Sequence, residues 1–100
     1  AGLDAAPNFQ RAEVLLAKAK RFLPGLNTLG GTAWMGHRPS LPDSLPVIGP
    51  APADPRVLYA FGHGHLGLTL SATTANLVLA LAQGRTPPID LTPFRANRFA

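Results

Sequence analysis

Two groups of residues in this chain could do chemistry, and both lie beside glycine or proline. Gly62, Gly64 and Gly67 are interleaved with His63 and His65, and Arg38 directly precedes a proline. Glycine adopts positive φ and lets backbone approach a ligand without a Cβ in the way. The planar guanidinium of arginine can hold a carboxylate through two parallel hydrogen bonds. These residues therefore predict contact with anionic groups. The plainer alternatives are that the glycines form a tight turn without a ligand and that Arg38 is an ordinary exposed loop arginine.

The glycine-rich segment lies between a predicted strand and a predicted helix. Residues 57–61 are apolar and favour β structure, and the uncharged residues 66–83 have apolar side chains at helical spacing. This order predicts a buried strand that leads into a turn and then the N-terminus of a buried core helix, with Gly84 after its end. The first N–H groups of a helix are unpaired and carry about half a positive charge. An anionic or electron-rich group is the expected ligand.

The same glycines have the spacing of a dinucleotide-binding fingerprint, G-x-G-x-x-G. A true fingerprint also needs a second parallel strand after the helix, ending in an acidic residue that holds a ribose hydroxyl. Asp90 stands at about the right distance, but two prolines at 87 and 88 leave no room for a buried strand before it. A Rossmann phosphate site is therefore kept only as an alternative, because the glycine spacing matches but the second strand is missing.

A metal site and a membrane span are weaker alternatives for this region. His63 and His65 could share a metal, but His37 is the only other histidine and the chain has no cysteine. Residues 66–83 are uncharged yet contain several polar side chains, whereas a bilayer needs about 20 predominantly apolar residues. We therefore predict no metal and no membrane-spanning helix here.

The N-terminal part of the chain predicts an amphipathic helix over residues 8–23. Apolar side chains recur there at spacings of three and four, Asn8 is a candidate N-cap, and Pro24 and Gly25 end the pattern. Basic residues near the end of this helix favour the negative end of its dipole; they are Lys18, Lys20 and Arg21. The alternative is a small non-enzymatic binding or assembly module that docks a partner through this basic helix.

The remaining segments are short or rich in proline. Residues 32–36 are predicted to form a strand, residues 37–46 a rigid extended loop, residues 46–49 a brief strand, and residues 94–100 a short helical turn. The net charge is +4, but the basic residues are scattered over the chain and no aromatic residues are interleaved with them, so we predict no nucleic-acid partner. An apolar fraction of 46% argues against disorder.

Three segments resemble one enzyme family. Residues 34–49 read WMGHRPSLPDSLPVIG, residues 62–69 read GHGHLGLT, and residues 89–99 read IDLTPFRANRF. In this order and spacing they are similar to the C-terminal part of the FAD-dependent D-amino-acid dehydrogenases, in the group of D-amino-acid oxidase, glycine oxidase and sarcosine oxidase. The resemblance covers nearly the whole chain and is most specific over residues 34–69.

The resemblance implies roles for individual residues. Arg38 matches the arginine that clamps the substrate carboxylate, and a D-amino acid would lose a hydride to FAD and end as a 2-oxo acid. Residues that match the turn beside the flavin near N1 and the C2 carbonyl are Gly62, His63, Gly64, His65, Leu66, Gly67, Leu68 and Thr69. A second segment implied to approach the flavin consists of Pro46, Val47, Ile48 and Gly49. Some relatives carry an arginine at the position of His65. No residue is implied as a catalytic acid or base.

Family members are roughly four times longer, and their N-terminal glycine-rich unit for the ADP moiety has no counterpart here. We therefore expect an α+β fragment with two main helices and a few short strands, an incomplete C-terminal portion of an FAD/NAD(P)-binding, glutathione-reductase-like fold. Residues 1–45 would end the substrate-binding domain and residues 46–100 the FAD-binding domain. The chain begins with Ala1 and shows no signal peptide, which fits a fragment.

The fragment alone is expected neither to hold FAD tightly nor to turn over substrate. Its expected partners are the D-amino acid, the remainder of its own chain, other copies of itself through uncovered faces, and a respiratory electron acceptor. We expect a cytoplasmic location, with peripheral attachment at the inner face of a bacterial membrane as the alternative.

Overall fold

A computed structural model describes residues 2–100. They divide into two compact units, Ala1–His37 and Arg38–Ala100, in which only Ala1 lies outside the described residues. The elements in chain order are helix α1 (Gln10–Phe22), strands β1 (Val47–Pro50) and β2 (Leu58–Phe61), helix α2 (Ser71–Ala82), and two short 3-10 turns, Thr92–Phe94 and Ala96–Phe99. This content confirms the predicted two helices with a few short strands. The larger flavoprotein fold and the domain boundary at residues 45 and 46 stay predictions.

Helix α1 confirms the predicted amphipathic helix with slightly shorter bounds. Phe9 occupies the N-cap position, and the Asn8 side-chain oxygen accepts a hydrogen bond from the Gln10 N–H at 3.1 Å. The helix ends where the Leu23 N–H donates to the Ala19 carbonyl, just before Pro24. No residue of α1 is buried, and its apolar stripe is open, with Phe22 86% exposed.

The predicted strand at residues 32–36 is wrong. Residues 31–39 have no regular secondary structure, and all of them are exposed. A strand needs a hydrogen-bonded neighbour, and within residues 2–100 no strand pairs with this segment. Short apolar character alone is therefore not enough to give β structure there.

Strands β1 and β2 form an antiparallel hairpin, which confirms both predicted strands. Val47 pairs with Phe61 and Pro50 pairs with Leu58. Helix α2 packs across both strands, and the two 3-10 turns pack on β1. The buried apolar core lies between these elements and comprises Val47, Ile48, Ala51, Leu77 and Ala80.

The expectation that the second strand is buried is wrong for this chain. Leu58 and Tyr59 are half-buried, and Phe61 at the end of β2 is 47% exposed. In a two-stranded sheet each strand has an unpaired edge, and β2 contributes only part of its surface to the contact with α2.

Helix α2 begins later than predicted and ends as predicted. Residues 67–70 form turns, so the helix starts at Ser71, whose hydroxyl donates to the Leu68 carbonyl at 2.7 Å. Glycine and threonine have low helix propensity, which favours this delay. At the other end Gly84 has φ +65°, and the Arg85 N–H donates to the Ala80 carbonyl at 2.8 Å. This is a Schellman motif closed by a glycine in the left-handed region.

Candidate active site

A backbone bridge joins the Arg38 segment to the glycine-rich turn. Ser40 and His63 form an isolated antiparallel bridge, and the Gly64 N–H donates to the Pro39 carbonyl at 3.1 Å. The Ser40 N–H donates to the Arg38 carbonyl at 2.9 Å, closing a tight turn around Pro39. The two motifs singled out in the sequence are therefore neighbours in space, since the residue after Arg38 is hydrogen-bonded to the turn.

This bridge continues the β1–β2 hairpin after an interruption. Six residues lie between Ser40 and Val47 on one side, whereas only Gly62 lies between Phe61 and His63 on the other. We call residues 41–46 the proline loop. The proline loop bulges out of the hairpin, and the strand-like pairing resumes beyond it at Ser40, next to Arg38.

Gly62 occupies the crowded position opposite the proline loop. Its φ is +80°, and a Cβ built there would lie 2.6 Å from Leu41 Cδ1 and 2.9 Å from Leu41 Cγ. Gly64, with φ +55°, would place a Cβ 3.2 Å from Ser40 Oγ. Both the left-handed backbone and the close approach of the loop therefore require glycine at residue 62.

His63 fastens the glycine-rich turn to helix α2. A hydrogen bond of 3.1 Å joins its Nε2 to Thr74 Oγ1, and the pair is partly buried. The imidazole of His63 is thus used within the protein, whereas His65 is exposed. Of the two neighbouring histidines, His63 has a structural contact and His65 is the one that is open at the surface.

The glycine-rich turn and the residues up to Thr69 present unused backbone donors. Among residues 2–100, internal hydrogen bonds engage the N–H groups of Gly64, Leu66 and Leu70, but those of four intervening residues find no acceptor, namely His65, Gly67, Leu68 and Thr69. All four of these residues are exposed, and Leu68 is 90% exposed. A surface of free N–H donors beside apolar side chains fits the electron-rich edge of a flat aromatic cofactor such as a flavin.

The other predicted site residues divide into exposed and buried groups. Arg38 is exposed, and its contact with a substrate carboxylate stays a prediction. The segment of Pro46, Val47, Ile48 and Gly49 is buried throughout, with Val47 and Ile48 in the core. The side chains of Val47 and Ile48 therefore pack inside the protein and are not open to a ligand. The predicted approach of this segment to a flavin stays a prediction.

Arg98 ties the C-terminal 3-10 turn to the proline loop. Its Nε and Nη2 donate to the two carboxylate oxygens of Asp43 at 2.6 and 3.0 Å, and Nη2 also donates to the Leu45 carbonyl at 2.7 Å. Hydrogen bonds from Arg98 lower the pKa of the Asp43 carboxyl from its ordinary value of 3.8 to about 2, helped by the Leu45 N–H. The ion pair therefore persists at any pH above about 4.

A separate cavity of about 780 Å³ lies between β1 and the C-terminal tail. Its lining includes Ile48, Gly49 and the tail residues Ile89, Asp90 and Arg95, but neither Arg38 nor any residue from 62 to 69. Volume alone therefore does not identify the site.

The dinucleotide and metal alternatives find no structural support within the described residues. Strand β2 is antiparallel to its neighbour, and no strand follows α2 in the range 83–100. Asp90 accepts hydrogen bonds from the N–H and hydroxyl of Thr92, and these lower the pKa of its carboxyl. No group of three or more histidine, aspartate or glutamate side chains in residues 2–100 could hold a metal ion. None of the helices described is both long and apolar enough to span a membrane.

Several residues that shape the site carried no signal in the sequence. The Leu41 side chain packs against Gly62, and the Thr74 hydroxyl is hydrogen-bonded to His63. Arg98 is hydrogen-bonded to Asp43, although 55 positions separate the two residues. The hydrogen bond from the Leu45 N–H to the Asp43 carboxylate is local, by contrast. An aspartate in a turn bounded by prolines is a sequence pattern from which this bond could have been predicted.

Comparisons with known proteins show the family of this chain. The model of a family described as FAD-dependent oxidoreductase matches residues 1–81. The chain is 48% identical to a D-amino-acid oxidase of Bradyrhizobium diazoefficiens over 99% of its own length and 24% of that relative. It is 36% identical to a D-amino acid dehydrogenase of Paramagnetospirillum magneticum over 99% and 24% of the two chains, and 36% identical to a glycine oxidase of Pseudomonas aeruginosa over 93% and 26%.

The chain therefore spans about a quarter of the length of the curated relatives it matches. No solved structure is significantly similar to it.

Proposed function

This chain belongs to the FAD-dependent oxidoreductase family, and from that membership we propose that it forms the C-terminal part of a flavoenzyme that oxidises D-amino acids to 2-oxo acids. Amino-acid oxidation in general is supported by relatives named for D-amino-acid oxidase, D-amino acid dehydrogenase and glycine oxidase. The D-configured substrate is favoured by the higher identity to the D-amino-acid oxidase.

The observation that carries this proposal is the bridge between the Arg38 segment and the glycine-rich turn. The Gly64 N–H donates to the Pro39 carbonyl, and Ser40 pairs with His63. The segment that carries the Arg38 guanidinium and the segment that carries the free N–H donors are thereby held side by side by backbone hydrogen bonds. An amino acid oxidised by a flavin needs these two contacts side by side, since its carboxylate must be fixed while its Cα–H faces the cofactor.

Each residue then has a defined task. Arg38 holds and orients the substrate carboxylate through its planar fork. The N–H groups of His65, Gly67, Leu68 and Thr69 would hold the electron-rich edge of FAD, which supplies the two-electron acceptor when bound. Because these donors are already free and fixed by the turn, they stabilise negative charge without reorganising. His63 keeps that turn on α2 through Thr74.

The rest of the longer protein is the proposed partner for the uncovered surfaces. Apolar side chains of α1 such as Leu15 and Phe22 are 66% and 86% exposed, and covering them would stabilise the protein. We propose that residues 1–45 belong to the substrate-binding domain and residues 46–100 to the FAD-binding domain. Separately produced, this chain is expected to self-associate and to bind FAD weakly.

The test is substitution of Arg38 in the full-length protein. A charge-assisted hydrogen bond is worth about 1.5–3 kcal/mol, so Arg38→Ala should raise KM for D-amino acids about ten- to a hundredfold, with FAD content retained. Arg56→Ala is the matched control, because Arg56 is equally cationic, 89% exposed and paired with Asp54. Equal KM values for Arg38→Ala and the control, measured by initial rates with an artificial electron acceptor, would contradict the proposed role.

A further inference from the structure

We propose that Arg98 is a positioning residue for substrate binding: its guanidinium fixes the proline loop and, through that loop, the placement of Arg38. The inference rests on the proposed function, because it assigns Arg98 an effect only through the carboxylate-binding Arg38. It adds a residue from the far C-terminal end of the chain to the machinery of the site.

Four hydrogen bonds saturate most of the Arg98 guanidinium. Besides the two carboxylate oxygens of Asp43 and the Leu45 carbonyl, Nη1 donates to the Arg95 carbonyl at 2.9 Å. The Arg98 guanidinium carbon also lies 4.3 Å from the centre of the Phe99 ring. Only the planar, multidentate fork of arginine can serve this set of acceptors at once.

The burial of Arg98 distinguishes it from an ordinary surface ion pair. Its side chain is 13% exposed and its partner Asp43 is 35% exposed. The other ion pair of the described chain, Arg56 with Asp54, joins residues two positions apart and leaves the arginine 89% exposed. A pair whose arginine is largely withdrawn from solvent and which spans 55 positions constrains tertiary structure, whereas the local pair constrains only its own turn.

Besides its continuation into strand β1, the proline loop is held at two places. At its start, Ser40 and Pro39 are hydrogen-bonded to the glycine-rich turn. At its far side, Arg98 holds Asp43 and the Leu45 carbonyl. Between these places Ser44 adopts φ +61°, and its N–H donates to the Leu41 carbonyl.

Without the Arg98 attachment the loop would be tied only at its two ends, at the Pro39–Ser40 bridge and at strand β1, and the residues between these ends would sample several orientations. Arg38 lies directly before the Pro39–Ser40 bridge, where the loop begins, so movement of the loop would loosen this bridge and the guanidinium would no longer be held ready for a carboxylate. A substrate would then have to order the loop as it binds, which weakens binding without altering the chemistry of the bound complex. The expected signature is a raised KM with nearly unchanged kcat.

The experiment uses the full-length flavoprotein and two independent variants, Arg98→Met and Asp43→Asn. Arg98→Met keeps an unbranched apolar stem, and Asp43→Asn keeps the shape of its partner. Arg56→Met is the matched control, since it breaks the exposed ion pair. For each protein FAD content, kcat and KM for a D-amino acid are measured, and every variant is repeated in an Arg38→Ala background.

We expect Arg98→Met to raise KM about tenfold and Asp43→Asn by a smaller factor, with kcat changed less than about twofold and with full FAD content. In the Arg38→Ala background both effects should disappear, because no guanidinium then stands next to the loop for Arg98 to position. The control Arg56→Met should match the parent protein in both backgrounds.

Three results would overturn the inference. They are an unchanged KM, an equal rise in KM with and without Arg38, and loss of FAD in both variants while Arg56→Met retains it. The last would identify the ion pair as a stability element. An Arg38→Ala protein with the parent KM would instead refute the proposed role of Arg38 itself, so the two failures are distinguishable.

Discussion

Replacing Gly62 by alanine perturbs the most crowded point of the site. The residue has φ +80°, and an L-residue in the left-handed region costs roughly 1–2 kcal/mol. The new Cβ would also stand 2.6 Å from Leu41 Cδ1, and such overpacking costs roughly 1–3 kcal/mol. We therefore expect Gly62→Ala to lower the free energy of unfolding by about 2–5 kcal/mol.

Gly84→Ala separates the two contributions. Gly84 has φ +65°, but nothing lies within 4 Å of its would-be Cβ, so its substitution should cost only the backbone strain of about 1–2 kcal/mol. Adding Leu41→Ala to Gly62→Ala removes the obstructing atoms, and the double variant should recover about 1–3 kcal/mol relative to the sum of the single changes.

Urea unfolding measures these differences as shifts of the midpoint multiplied by the m-value. A Gly62→Ala protein as stable as Gly84→Ala would show that the proline loop does not press on residue 62. Strict additivity of Gly62→Ala and Leu41→Ala would refute the same contact independently.

Two further predictions concern the fastenings of the site. Thr74→Val keeps the shape of the side chain but removes the hydroxyl that is hydrogen-bonded to His63 at 3.1 Å. It should therefore lower the free energy of unfolding by about 1 kcal/mol, measured by thermal or urea unfolding. The control Thr73→Val, at the exposed neighbouring residue, should lower it much less. The pKa of Asp43 is lowered to about 2 by Arg98, so its carboxylate stabilises the folded protein above pH 4 and this contribution is lost as pH falls from about 4 to about 2. Asp43→Asn should therefore destabilise the protein near neutrality and lose less stability than the parent across that acidic interval; an identical acid response of the two proteins would contradict the ion pair.

Local patterns in the sequence were sufficient for the main elements. The spacing of apolar residues and the Pro24-Gly25 stop gave α1, and the β-favouring residues 57–61 gave β2. The glycine at residue 84 marked the end of α2 because a left-handed C′ position is a local requirement. These features depend on neighbours only a few positions away.

Features that depend on distant partners were missed. Residues 32–36 have strand-like composition but no strand beside them within residues 2–100, and the start of α2 moved to Ser71 because the turn ahead of it forms its own hydrogen bonds. The contact of Arg98 with Asp43 has no local pattern at all, since neither residue type nor spacing relates positions 55 apart. For the site, the resemblance supplied the roles of Arg38 and the glycine-rich turn, but not the bridge that joins them.

The unequal lengths of the two sides of the interrupted hairpin also bear on how the site comes together. Residues 41–46 stand opposite a single residue, so the place of the chain around Arg38 is set by the alignment of β1 with β2. A slip of this ribbon by one residue would turn every side chain to the opposite face. The proposed site therefore depends on the register of the hairpin, because a ribbon shifted by one residue would not place Ser40 opposite His63.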